Sequence, residues 1–130
     1  MERITGIGGL FFRAQNPEEL TAWYEQHFGI LPVPERYEDG SWWQDEGPTV
    51  FAPFPADTSY FGKLEQAWMI NFRVRDLAAM VAQLQEAGIA VEVDPEQYPN
   101  GRFARLQDPE GNPIQLWQPE GTDATRPDGR

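Results

Sequence analysis

Gly101-Arg-Phe-Ala-Arg-Leu-Gln-Asp-Pro-Glu-Gly-Asn-Pro-Ile-Gln-Leu-Trp-Gln118 decides the fold, because it sets the strongest turn signal of the chain between two strand-like runs. Asp108, Pro109, Glu110 and Gly111 suit the four places of a type I turn: an acceptor side chain first, a preset φ second, and a glycine where φ must become positive. Residues 103–107 lead in and residues 113–118 lead out. Pro113 stands at the start of its strand, where a missing N–H costs least. The spacing predicts a β-hairpin with Phe103, Arg105 and Gln107 on one face and Ala104 and Leu106 packed under a helix.

Upstream of the hairpin the chain reads as a second strand and helix. Residues 67–74 form the strand and Asp76 the helix cap. Leu77, Met80, Val81, Leu84 and Ala87 make the buried stripe, which Gly88 ends. Residues 89–93 form a short strand and residues 94–100 a loop. The first half reads in the same order. Residues 4–14 are a strand, Asn16 and Glu19 a capping pair with Pro17 at the first helical position, and Leu20, Trp23, Tyr24 and Phe28 an apolar stripe that stops at Gly29. Residues 30–37 are a proline-broken edge, and residues 41–44 and 49–54 two short strands. The anchors repeat: Phe12-Arg13 with Asn16 returns as Phe72-Arg73 with Asp76, Gly29-Ile30 as Gly88-Ile89, and Glu46-Gly47 as Glu110-Gly111.

This repeat predicts an α+β chain of two tandem β-α-β-β-β modules that form a curved, cupped mixed sheet with helices on its outer face. Module one covers residues 4–54, a linker 55–66 and module two 67–119, so residues 1–119 make one domain. Residues 120–130 are expected to be a disordered polar tail. A concave face between two modules is a usual place for a ligand.

Composition narrows the function. The chain has 130 residues, 40% of them hydrophobic and 13% aromatic, which is enough for one core and argues against disorder. A net charge of −11, from ten basic and twenty-one acidic residues, argues against a nucleic-acid partner. No apolar run reaches the roughly 20 residues a membrane span needs, and the first residues lack the build of a signal peptide. The expectation is a cytoplasmic protein. The lack of cysteine agrees with a reducing compartment and leaves no disulfide or zinc–thiolate site. One histidine and no cysteine leave no Ser–His–Asp or Cys–His arrangement, and Gly6-Ile-Gly-Gly lacks the spacing of a dinucleotide loop. His27 reads as a helix-end histidine favoured by the helix dipole.

From Ile4 to Pro119 the chain resembles the vicinal oxygen chelate superfamily, which includes glyoxalase I, bleomycin-resistance proteins and extradiol dioxygenases. The resemblance rests on residues 101–117, similar to the family's closing hairpin, and on Phe72-Arg-Val-Arg-Asp-Leu with Ala87-Gly88-Ile89, similar to its second module opening. It implies a divalent metal held by one residue from the first and one from the last strand of each module. Those places fall here on Gly9, Phe51, Met69 and Gln115. Glycine, phenylalanine and a thioether offer no hard donor, so no metal and no other cofactor is expected.

What is left is a cavity lined by Phe11, Trp43, Phe51, Met69, Phe103 and Trp117, with Asn71 and Gln115 as amides and Arg105 as a cation able to hold a carboxylate. Aromatic walls with a few hydrogen-bonding groups suit a flat or hydrophobic small molecule. The same side chains could instead close on one another as core. Arg13 and Arg73 share the inward parity, with acidic neighbours as alternative partners. Three function classes follow: a metal-free binder of a small organic molecule, expected as a homodimer from the resemblance; a metal-dependent glyoxalase-like lyase, isomerase or dioxygenase; or an interaction module with its aromatic face buried in a partner.

Overall fold

Turn chemistry closes the hairpin as its residue types dictate. In the computed structural model, which describes residues 1–128, β3 (Gly101–Gln107) and β4 (Pro113–Pro119) pair antiparallel, with Gly101 opposite Pro119 and Gln107 opposite Pro113. The Gly111 N–H donates to the Asp108 carbonyl at 2.9 Å, and Gly111 sits at φ +82°, where a side chain is strained. Asp108 Oδ1 accepts the Glu110 and Asn112 N–H groups at 2.9 and 3.0 Å, while its Oδ2 accepts Asn112 Nδ2 at 2.8 Å.

The rest of the second module forms as its repeat predicts. β1 (Ile70–Arg73) runs parallel to β4, α2 (Leu77–Glu86) crosses over, and β2 (Glu92–Val93) pairs antiparallel with β3, giving the order β1-β4-β3-β2. Asp76 caps α2 by accepting the Ala79 N–H at 3.0 Å. Leu77, Val81 and Leu84 are buried against Ala104, Leu106, Ile114 and Leu116. Leu84, Ile114 and Leu116 are fully enclosed, and burial of each stabilises by about 1.5–3 kcal/mol.

The first half departs from expectation in its strands and not in its helix. α1 (Pro17–Phe28) starts at Asn16, whose side chain accepts the Glu19 N–H at 3.2 Å, and ends at Gly29. Its buried face, Leu20 and Tyr24, joins the core of the second module beside α2, and Phe28 and Tyr24 meet Phe72 of β1. The α+β class is therefore as read. The sheet is mixed, as expected; in the described residues it is one uncurled four-stranded sheet, and residues 4–14, 41–44 and 49–54 carry no strand pairing. The physical reason lies in α1. Its apolar stripe covers the second-module sheet, so it offers no face on which first-half strands could bury their alternating side chains. Prolines at 32, 34, 48, 53 and 55 remove further ladder donors.

The hairpin turn also holds α1 in place. Tyr24 donates its hydroxyl to Asp108 Oδ2 at 2.7 Å, and the Glu110 carboxylate accepts the Gln15 and Asn16 N–H groups at 2.7 and 3.0 Å. Asp108 is buried, and its carboxylate accepts four hydrogen bonds, which its charge strengthens. Within the expected tail, Gly121–Ala124 make a 3₁₀ turn, and Arg126 pairs with Glu46. The last two residues of that tail, 129–130, lie outside the described residues. Among the described residues no helix is long and apolar enough to cross a membrane.

Candidate ligand-binding site

With both helices on one face of the sheet, alternation sends every second strand residue to the open face. Register then lines these residues up in two rows. Asn71 stands beside Gln115 and Gln115 beside Arg105; one step along, Arg73 stands beside Trp117 and Trp117 beside Phe103. The first row is polar and the second carries a parallel aromatic pair. Phe103 and Trp117 have ring centroids 6.2 Å apart and planes 1° apart. Trp117 is 3% exposed, and its Nε1 donates to the Asn100 carbonyl at 2.8 Å, which fixes the indole edge.

The polar row is a chain of directed hydrogen bonds. Asn71 Nδ2 donates to Gln115 Oε1 at 2.8 Å, and Gln115 Nε2 in turn donates to the Tyr60 hydroxyl oxygen at 2.8 Å. Arg105 Nη2 donates to the Tyr60 carbonyl at 2.6 Å, and the guanidinium carbon lies 4.5 Å from the centre of the Tyr60 ring. Arg105 Nη2 also lies 3.7 Å from Met69 Sδ. Residues 55–66 contain turns and no strand, as expected of a linker, but they fold over the open face and set Tyr60 upon it. Phe54 stacks on Tyr60 at 5.6 Å and touches Phe61 at 5.0 Å.

Six of the residues expected in the site, Met69, Asn71, Phe103, Arg105, Gln115 and Trp117, therefore share one face. The other three stand on the first half: Phe11 is 94%, Trp43 89% and Phe51 85% exposed, on segments without strand pairing. Tyr60 was not anticipated. Its stretch has no periodicity, and the signal it did carry, Phe54, Tyr60 and Phe61 within an otherwise polar run, is compositional only.

The four places where the resemblance puts a divalent ion do not fit one. Gly9 and Phe51 bring no donor, Gln115 already uses both ends of its amide, and the Met69 sulfur faces the Arg105 guanidinium, a fixed positive charge. Among the described residues no group of three or more His, Cys, Asp or Glu is placed to hold a metal. Behind the sheet, a groove of about 480 Å³ runs between α2 and residues 93–97, reaching Arg102. It shares no residue with the open face.

Comparison with known proteins places this geometry in a family. The profile of the glyoxalase-like domain matches residues 9–117. The chain belongs to the glyoxalase-like domain family. Among solved structures, this glyoxalase-like domain is similar to TnmS3, an antibiotic binding protein from Streptomyces sp. CB03234. The two are 26% identical, the match covers 92% of this chain and 100% of TnmS3, and the TM-score is 0.62. A glyoxalase/bleomycin resistance protein from the same Streptomyces strain is 41% identical over 41% of this chain and 46% of that chain, with a TM-score of 0.36. A glyoxalase family protein from Enterococcus faecalis is 27% identical over 50% of this chain and 52% of that chain, with a TM-score of 0.39. Among curated proteins none matches the chain. These relatives belong to the vicinal oxygen chelate superfamily, so the resemblance read from residues 72–89 and 101–117 holds at the level of family and fold.

Proposed function

We propose that this glyoxalase-like domain binds a flat small organic molecule on the open face of its sheet, without using a metal ion. The observation that carries the reading is the pairing of two rows: Phe103, backed by the parallel and buried Trp117, beside the polar row of Asn71, Gln115 and Arg105. An apolar wall next to a few fixed donors orients a ring system by its polar edge, and a plain core has no use for such donors. TnmS3, an antibiotic binding protein, supports a natural-product-like ligand over a metabolic substrate. Titration with a panel of aromatic antibiotics, followed by tryptophan fluorescence and melting temperature, tests this. A ligand at one hundred times its Kd stabilises by about 2.7 kcal/mol. No saturable change with any planar ligand refutes the reading.

The working form in this proposal is a cytoplasmic homodimer. Support comes from the first half, where Phe11, Val33, Trp43 and Phe51 are each at least 85% exposed, an apolar surface that water penalises. In the dimer these segments pair with a second copy, and Phe11, Trp43 and Phe51 complete the wall of the site. Light scattering coupled to size exclusion must then give twice the chain mass. A monomer at micromolar concentration refutes the dimer and leaves the open-face site to be judged by titration alone.

A further inference from the structure

We propose that Tyr60 is an internal stand-in for the ligand, and that the ligand is therefore a planar arene carrying a hydroxyl oxygen. This deepens the reading above and rests on it. The Tyr60 ring covers the Arg105 guanidinium at 4.5 Å, and its hydroxyl takes the Gln115 Nε2 donor at 2.8 Å. An aromatic ring with an oxygen at its edge is thus what this end of the polar row already holds.

Polarity along the row makes the demand specific. Asn71 donates to Gln115 Oε1, which turns the NH₂ end of Gln115 outward. Arg105 has donors and no acceptor. Both groups that face Tyr60 therefore present N–H; Arg105 bonds the Tyr60 main-chain carbonyl, so an occupant that displaces the side chain must bring an oxygen lone pair for Gln115 and a ring face for Arg105. A bare hydrocarbon ring that displaced the Tyr60 side chain would leave the Gln115 Nε2 donor without its acceptor, which disfavours it. A phenolic oxygen replaces the one it displaces, while the rest of a larger arene extends along the sheet towards Phe103 in the adjoining row.

Tyr60 is also placed to leave. It is 38% exposed and sits on an irregular segment with no strand pairing, so its departure breaks no ladder. While it occupies the face it competes with the ligand, and apparent affinity falls by the fraction of molecules in which the face is covered.

The test uses the full chain with 2-naphthol and naphthalene, two probes of equal ring area that differ in one hydroxyl. Calorimetric titration of the wild type is expected to show 2-naphthol bound about fivefold more tightly than naphthalene, the size of one neutral hydrogen bond. Tyr60→Ala is expected to bind 2-naphthol more tightly than the wild type does, because the competitor is gone. In the wild type, the side-chain amide resonance of Gln115 must move with 2-naphthol and stay with naphthalene, which needs no variant to fold. Equal affinity for the two probes, or a Gln115 resonance that ignores 2-naphthol, overturns the stand-in while the planar-ligand reading survives. Tyr60→Ala that folds with native melting behaviour and binds 2-naphthol no better also overturns it. Saturation by neither probe, with none from the antibiotic panel, removes both readings.

Discussion

Replacing Asp108 by alanine is the sharpest perturbation of this fold, since one carboxylate joins the hairpin turn to helix α1. Oδ1 holds the Glu110 and Asn112 N–H groups, and Oδ2 holds Asn112 Nδ2 and the Tyr24 hydroxyl. The turn donors can reach water once the side chain is gone, so together they cost about 1 kcal/mol, like a lost cap. Tyr24 is buried and cannot be compensated in the same way; losing a hydrogen bond to a charged partner costs about 1.5–3 kcal/mol. The sum is about 2.5–4 kcal/mol, or roughly 8–15 °C in melting temperature for a chain of this size. Tyr24→Phe alone removes one donor from a carboxylate that keeps three others, and should cost about 1–2 kcal/mol. Urea unfolding of the two single variants and the double variant forms a cycle. The double variant should be more stable than the sum of the singles predicts by about 1.5 kcal/mol, because each single already breaks the shared contact. If the two effects add to within about 0.5 kcal/mol, the turn does not anchor α1 through this pair and the account of why α1 leaves its own module fails.

Three further expectations follow from the same contacts. Gly101 has φ +138° and a Cβ there would lie 2.8 Å from Trp117 Nε1 and against the Gln118 carbonyl, so Gly101→Ala should cost about 1–3 kcal/mol in urea unfolding and blunt the tryptophan response to ligand. The tyrosine contribution to stability should be constant with pH below about 10, where unfolded tyrosine titrates, and fall above it. Burial first and the Asp108 bond second hold the Tyr24 phenol well above that value, so the folded chain keeps a proton that the unfolded chain releases. Tyr98, hydrogen-bonded to Asp94 and pushed up to about 12, adds to the same fall, so Tyr24→Phe should reduce its slope in alkaline melts without abolishing it. Lys63 is the one lysine of the chain and lies three residues from Tyr60, which gives endoproteinase Lys-C a single reporter site on the segment over the open face. Arg105→Ala removes the Tyr60 carbonyl bond and the ring contact, and cleavage at Lys63 should accelerate about tenfold; an unchanged rate means that Arg105 does not hold this segment.

Local chemistry was enough to read the hairpin, both helices and the second module. Asp108 and Gly111 dictate a turn, Asn16 and Asp76 dictate helix starts, and strict alternation puts Asn71, Phe103, Arg105, Gln115 and Trp117 on the face that Ala104, Leu106, Ile114 and Leu116 leave free. Each of these is decided within a few residues of chain, so a window of sequence contains its cause. The internal repeat suggested that the first half should copy the second, and its helix does. Its strands show the limit of that argument, because equal periodicity says that a face is apolar without saying what will cover it.

Only tertiary structure decided which sheet face receives α1, what Asp108 meets across the molecule, and that Tyr60 lies over Arg105. All three are contests between distant partners: Leu20 and Tyr24 suit any apolar sheet face, a buried carboxylate suits any donor, and a tyrosine in an aperiodic segment suits any cation or amide. The side chains that can make such contacts were written in the chain. Which contacts they make was settled by which distant surfaces the fold brings together.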